Sequence, residues 1–291
     1  MSPLPIALVI LSALAHATWN FITKRAHASQ AFMALATLAE VIVFLPVFVI
    51  IGIPSPLPPA DLWWMFAIAS TYNPLFFFFI GRAYQRGNLS LVYPVARAGS
   101  LLFLPIIAGV FLGEQIGPIG GIALLLIIAG IVILQLKALT RKAMQDLIVG
   151  AVEPATGYAL AAALIVSIYL VWDKYALQFL PLFYYYYVYT AVSGVVYVGV
   201  VAATQGAQVL IDEVRRNPRD ISLVGLLTMG GYLMLLTALR TDNASYVVAL
   251  RQLSIGIGAL MGKFWLGEDF GGHKWLGLAI LLGGCVLISM A

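Results

Sequence analysis

Ten runs of apolar residues fill this chain almost end to end, and that single feature excludes most folds. The runs lie at 3–23, 31–51, 62–82, 89–112, 117–137, 153–173, 181–203, 221–240, 244–266 and 273–290. Each is close to the roughly 20 residues a helix needs to cross about 30 Å of hydrocarbon. Connections are mostly short, so no room is left for a soluble domain. Only 10% of residues are charged and the mean hydropathy is +1.00, whereas a soluble domain carries about 25% charged residues. Continuous runs such as GIALLLIIAGIVIL (121–134) also exclude a β-barrel, whose strands alternate apolar and polar residues. The expected fold is an all-α integral membrane protein of ten transmembrane helices, with the lipid bilayer as its first partner.

The N-terminal MSPLPIALVILSALAHATWN has no basic leader and no small-residue cleavage site, so it reads as the first span rather than a signal peptide. A single cysteine, Cys285, excludes a disulfide framework within one chain. The net charge of +4 points to membrane orientation rather than to nucleic acid. Lys24 and Arg25 follow span 1, Arg82 and Arg86 span 3, and Lys137, Arg141 and Lys142 span 5. Arg215, Arg216 and Arg219 follow span 7, and Lys274 follows span 9. The positive-inside rule places these odd-numbered loops in the cytoplasm and both termini outside, in a multi-pass cell-membrane protein, expected to be a prokaryotic inner-membrane one.

The chain also repeats itself. FLGEQIGPIGGIALLLIIAGIVIL (111–134) matches WLGEDFGGHKWLGLAILLGGCVLI (265–288), so that Glu114 falls on Glu268 and Gly130 on Gly284. NLSLVYPVARAGS (88–100) matches NASYVVALRQLS (243–254) with one gap, pairing Arg97 with Arg251. WNFITKRA (19–26) matches YLVWDKYA (169–176) more weakly, pairing Lys24 with Lys174. Each copy holds five helices, an odd number, so the second must enter the membrane upside down. Inverted repeats are a recurring transporter architecture with the site near the midplane between the copies. The expected organisation is a first repeat over 1–137, a cytoplasmic linker over 138–152 and an inverted second repeat over 153–291.

With its two LGE turns, the HATWNFITKRA end of span 1 and AYQRGNLSLVYPVAR leading into span 4, the whole chain resembles the drug/metabolite transporter superfamily, specifically its EamA-type ten-helix group. The resemblance implies alternating access and transport of small organic metabolites without ATP. Within the group, the span 1 and span 4 motifs are most similar to a branch some of whose members are associated with phosphonate utilisation. EamA-type chains often carry basic residues between spans 2 and 3 and after the LGE turn, implying cytoplasmic termini. This chain has none there.

Arg97 and Arg251 each lie about 11–12 Å into their spans, counted at about 1.5 Å per residue, and approach the midplane from opposite sides. A charge at that depth costs about 2.5–3.5 kcal/mol on insertion scales. Two readings fit: a pair recognising a substrate carboxylate or phosphonate through the guanidinium fork, or a pair capping carbonyls freed by helix breaks at Pro94 and at the span 9 glycines. Glu40 is the one acidic residue near the middle of a span. Its candidate partners are His16, Arg97 and Arg251, and its candidate roles are fixed counter-ion, ligand for a substrate ammonium, or carrier of a coupling proton. Ser12, His16, Trp19, Asn20 and Thr23 form one polar stripe at helical spacing that should face the interior. His16 reads as a hydrogen-bonding residue or a proton relay. Asn73, Tyr93 and Gln252 are further candidates for polar lining.

Of the aromatic runs PLFFFFIGRAY (74–84) and PLFYYYYVYT (181–190), only two or three residues each can face a cavity, one or two tyrosines holding an ammonium, and part of the second run reads as an interfacial belt. Glu114 and Glu268 read as structural residues favouring the N-terminal ends of the helices that follow, and Gly109–Gly113 and Gly258–Gly262 as close helix contacts. No carboxylate pair is apparent within the spans. No phosphate-binding loop, zinc motif or nucleophile elbow occurs, and histidines at 16, 27 and 273 are too scattered for a metal site. The composite expectation is a secondary transporter with no cofactor and no enzymatic activity, a monomer or homodimer, taking a zwitterion or anion such as an amino acid or aminophosphonate. The alternative is an exporter of a hydrophobic or amine-like compound using Glu40 and tyrosines. An intramembrane enzyme is disfavoured because no nucleophile–base or metal constellation can be assembled.

Overall fold

The computed structural model describes residues 1–26, 29–86, 89–136, 138–141, 145 and 153–291, with the side chains of Asn73, Phe77, Leu89, Ser90, Leu91, Tyr93 and Pro94 outside the description. Most of the expected linker and His27 lie outside the described residues. Among those described, ten helical stretches are long and apolar enough to span a membrane. They comprise α1 (Pro3–Arg25), α2 (Gln30–Val47), α3 (Trp63–Arg86), α4 (Leu89–Leu112), α5 (Pro118–Gln135), α6 (Pro154–Ala176), α7 (Leu182–Gln205), α9 (Pro218–Thr241), the pair α10 (Ala244–Arg251) and α11 (Leu253–Leu266), and α12 (Gly272–Met290). A short helix, α8 (Ala207–Arg216), occupies the polar stretch between spans 7 and 8, where the sequence suggested only a break. The all-helical chain is a multi-pass membrane protein.

Packing follows the inverted repeat. Helix α1 packs on α9 while its counterpart α6 packs on α3, and α4 packs on α6 while α11 packs on α1. Pairs that the symmetry maps onto themselves, α5 with α12 and α2 with α7, close the ring. Each repeat therefore buries its helices chiefly against the other copy. At the α5–α12 contact a Cβ added at Gly130 would sit 2.6 Å from the Leu281 nitrogen, and one at Gly284 would sit 3.0 Å from the Ile127 nitrogen. The absent side chains let two backbones touch, which is how association proceeds in lipid without a hydrophobic driving force.

The LGE turns owe their shape to one backbone device used twice. Gly113 and Gly267 adopt φ of 68° and 67°, a left-handed conformation that favours glycine. The next residue's N–H reaches back to cap the helix: Glu114 N to Ala108 O at 3.3 Å and Glu268 N to Gly262 O at 3.1 Å. The expected interhelical role of the two glycine pairs is not what the fold uses. Gly109 and Gly262 instead make room for Glu114 and Glu268 of their own turns, and Gly258 faces open space.

The glutamates then cross to the other repeat instead of serving the helix that follows. Glu114 accepts from Lys174 Nζ at 2.6 Å and from Ala244 N–H, the start of α10, at 2.9 and 3.0 Å. Glu268 pairs with Lys24. The equivalent lysines thus lie on opposite faces, as inversion requires. The face holding Lys174 also holds both ends of the described chain, Met1 N bonding Ser289 O; we call it the terminal face.

The expected helix breaks are redistributed. Helix α4 runs without interruption through position 94. In the second repeat the break falls at Gln252, directly after Arg251 and ahead of the glycines, where tight bonds from Gln252 N to Ala249 O and from Ile255 N to Gln252 O separate α10 from α11.

Candidate functional site

A cavity of about 280 Å³ lies between the repeats, lined by residues of α1, α2, α3, α4, α6, α7, α9 and α10. Its lining runs from Asp173 and Tyr186, near the terminal face, to Ile80 and Tyr84, near the opposite ends of their helices. A layer of packed rings lies toward the terminal face. A π-helical turn at Phe48–Gly52, just past Pro46 of α2, presents Phe48 flat against Tyr187, ring centroids 3.9 Å apart. Phe66 packs edge-on against Tyr184. Above this layer the Lys174–Glu114 bridge is largely buried, at 17% and 9% exposed. Its symmetry mate, Lys24–Glu268, is 61% and 40% exposed. The two equivalent clamps therefore sit in different surroundings, one buried and one exposed.

The two symmetry-related arginines meet at one residue. Arg97 Nη2 lies 3.5 Å from His16 Nε2, and Arg251 Nη2 lies 3.2 Å from His16 Nδ1. A neutral imidazole has a single acceptor nitrogen, so His16 serves one guanidinium and turns an N–H toward the other. Arg251 Nε is buried with no hydrogen-bond partner among the described residues. The guanidinium carbon of Arg251 lies 5.7 Å from the centroid of the Tyr232 ring. Among the described residues Arg251 Nε–H thus lacks an acceptor, and an oxyanion would supply one.

Two carboxylates also line the cavity. Glu40, 6% exposed, does not take the partners expected of it: its Oε2 accepts from the Tyr186 hydroxyl at 2.9 Å, because α7 packs directly on α2. Asp173 is 1% exposed and accepts from Tyr185 at 2.7 Å and from Tyr232 at 2.6 Å. The rings of Tyr186 and Tyr232 stack 4.8 Å apart, joining the two phenol–carboxylate pairs. Sequence reasoning missed Asp173 and saw no carboxylate pair in the spans, yet both acids line one cavity. The available signal was the repeat itself, which sets Asp173 opposite Thr23 of the stripe expected to face inward.

The remaining candidates divide. Trp19 lines the cavity beside His16, their rings 5.0 Å apart. The rest of the stripe is structural: Ser12 bonds Gly231 O of α9, and Asn20 and Thr23 bond carbonyls of their own helix. Gln252 is buried at the break between α10 and α11 and is not part of the lining. The side chains of Asn73 and Tyr93 lie outside the described residues. The helix 7 tyrosines form no interfacial belt: Tyr184, Tyr185, Tyr186, Tyr187 and Tyr189 are all buried, with Tyr186 and Tyr189 lining the cavity.

Comparison with known proteins agrees with this architecture. A protein of known crystal structure superposes with a TM-score of 0.77 over 98% of this chain and 96% of that one, at 15% identity, a likeness of fold alone. A Sinorhizobium sp protein named "Uncharacterized transporter in cobO 3′region" is 33% identical over 101 residues, 35% of this chain and 72% of that protein. Residues 3–136 and 154–290 each match the EamA-like transporter family. With nearly the whole chain accounted for by two copies of that unit, the protein belongs to the EamA-like transporter family.

Proposed function

We propose that this protein is a secondary active transporter that carries a small organic metabolite by alternating access, recognising an acidic group on it with Arg97 and Arg251. The observation that carries the reading is the convergence of these two arginines on His16, from equivalent places in inverted copies, at the wall of a cavity between the repeats. A carboxylate or phosphonate set between the guanidiniums accepts the N–H groups that His16 cannot. The unequal exposure of the two lysine–glutamate clamps supports a cavity closed at the terminal face and reached from the other. Exchange of the two conformations would move substrate across the cell membrane, with the terminal face outside by the positive-inside rule. A second reading is supported by the phenol–carboxylate corner: a hydrophobic or amine-like substrate held by Glu40 and tyrosines.

The test is counterflow in proteoliposomes together with binding by purified protein, using small carboxylates, amino acids, phosphonates and simple amines. Arg97→Gln and Arg251→Gln should each weaken binding of acidic compounds at least tenfold, the loss of about one charge-assisted pair at about 1.5–3 kcal/mol. Full affinity for an acidic substrate in both variants overturns the arginine reading. Tight binding of amines alone favours the second.

A further inference from the structure

We infer that Asp173 is a cation-recognising subsite, so that the compound carried is a zwitterion, its acidic group at Arg97 and Arg251 and its protonated amine at Asp173. This rests on the transport-site reading above and narrows it to a substrate class.

The cavity places opposite charges in separate corners without joining them. Among the described residues the ion pairs are Lys24–Glu268, Arg25–Asp220 and Lys174–Glu114, all near helix ends at the membrane faces. Asp173 is in none of them. Lys174, its neighbour in the chain, is turned outward and held by Glu114 and by Asp242 O at 2.5 Å. Among the described residues the carboxylate of Asp173 therefore has only phenols for side-chain partners, one hydroxyl on each oxygen. An ionised carboxylate accepts at about four positions, so two phenols leave capacity for an ammonium.

With Arg97, Arg251 and Asp173 as its charged groups, the cavity offers both signs of charge. A zwitterion complements each of them and adds no net charge, whereas a simple anion leaves the Asp173 carboxylate unmatched inside the membrane, where a charge is costly. Geometry favours Asp173 over Glu40 as the amine ligand. Tyr232 has Arg251 near its ring and Asp173 on its hydroxyl, so one side chain bridges the two poles. Glu40 reaches the same place only through Tyr186. Tyr72 and Tyr169 line the same cavity and offer ring faces to an ammonium.

The experiment compares matched pairs of probes on the full-length protein in detergent, by calorimetry: β-alanine against propionate, and 2-aminoethylphosphonate against ethylphosphonate. The unmodified protein should prefer the aminated member of each pair about ten- to hundredfold, the range for a hydrogen bond between charged groups. Asp173→Asn should collapse that ratio toward one while the deaminated probes still bind. Tyr232→Phe, which keeps the carboxylate, should weaken both members of each pair together and leave a ratio well above one. If the acids bind through Arg97 and Arg251 but the amine adds nothing, or Asp173→Asn keeps the preference, the subsite is wrong and the transport-site reading stands. Loss of the preference in Tyr232→Phe as complete as in Asp173→Asn also overturns it, because both would then act by disturbing the fold. Should Asp173→Asn not fold, the ratios in the unmodified protein and in Tyr232→Phe decide. If none of the four acidic probes binds, the reading of the arginines falls first.

Discussion

Replacing Glu114 by glutamine tests whether the terminal face is held shut by the clamp at Lys174. Removing one partner of a fully buried ion pair costs about 3–5 kcal/mol. Here the loss is smaller, because Lys174 is 17% exposed and keeps its bond to Asp242 O. Glutamine also retains one acceptor for Ala244 N–H. About 2–3 kcal/mol remains, which is roughly a 30- to 150-fold change in an opening equilibrium. The matching change, Glu268→Gln, breaks a pair whose side chains are 61% and 40% exposed, and should cost no more than about 1 kcal/mol. Ser245 reports the difference. It is 1% exposed, lies beside the Ala244 amide, and its hydroxyl has no partner among the described residues, so Ser245→Cys removes no hydrogen bond described there. With Cys285→Ala as background, the rate at which a maleimide modifies Cys at position 245 follows opening at the terminal face. Glu114→Gln should raise that rate at least about thirtyfold and Glu268→Gln less than about fivefold. Equal effects of the two variants, or a rate in Glu114→Gln within threefold of the parent, would refute the assignment of the buried clamp as the closed gate.

Two further outcomes follow from packing. Gly130→Val places side-chain atoms where the α12 backbone already lies, within 2.6–2.8 Å, and should lower stability in detergent by at least about 1–3 kcal/mol, read as a fall in thermal midpoint; Gly121→Val on the same helix has open space and should change it little. Tyr186→Phe leaves the buried Glu40 without its phenol donor and should cost about 1–3 kcal/mol in the same assay, an effect that Glu40→Gln in the same chain should partly relieve, since the carboxylate is then gone.

How much of this was legible beforehand differs between fold and site. The ten spans were readable because lipid offers no hydrogen bonds, so a crossing segment outside a closed barrel must be a long apolar helix. Helix α8 was not. Its ten residues mix Val209, Leu210 and Val214 with Asp212, Glu213 and two arginines, and against the long apolar runs around it such a segment looks like loop. Arg97 and Arg251 could be paired because the repeat aligns them. Asp173 escaped notice because it closes its apolar run and adjoins Lys174, which in sequence looks like an ordinary charged pair at the membrane edge. Only the helix rotation separates the two, sending Lys174 to Glu114 and Asp173 to the phenols. The tyrosines near Pro181 misled for the same reason: an interfacial belt and a buried aromatic layer have the same composition.

By itself, the sequence determined the number of crossings, the inverted repeat and the existence of two arginines within the spans at equivalent depths. Those follow from hydropathy, parity and charge, all properties of a segment taken alone. The tertiary structure decided who meets whom. Glu40 found Tyr186 instead of an arginine, His16 came to stand between both arginines, and the LGE glutamates reached across to lysines of the opposite repeat. Partner choice depends on how each helix is rotated about its axis and which neighbours it packs against. In a bundle whose helices are apolar nearly all round, the periodicity of one helix carries little record of either.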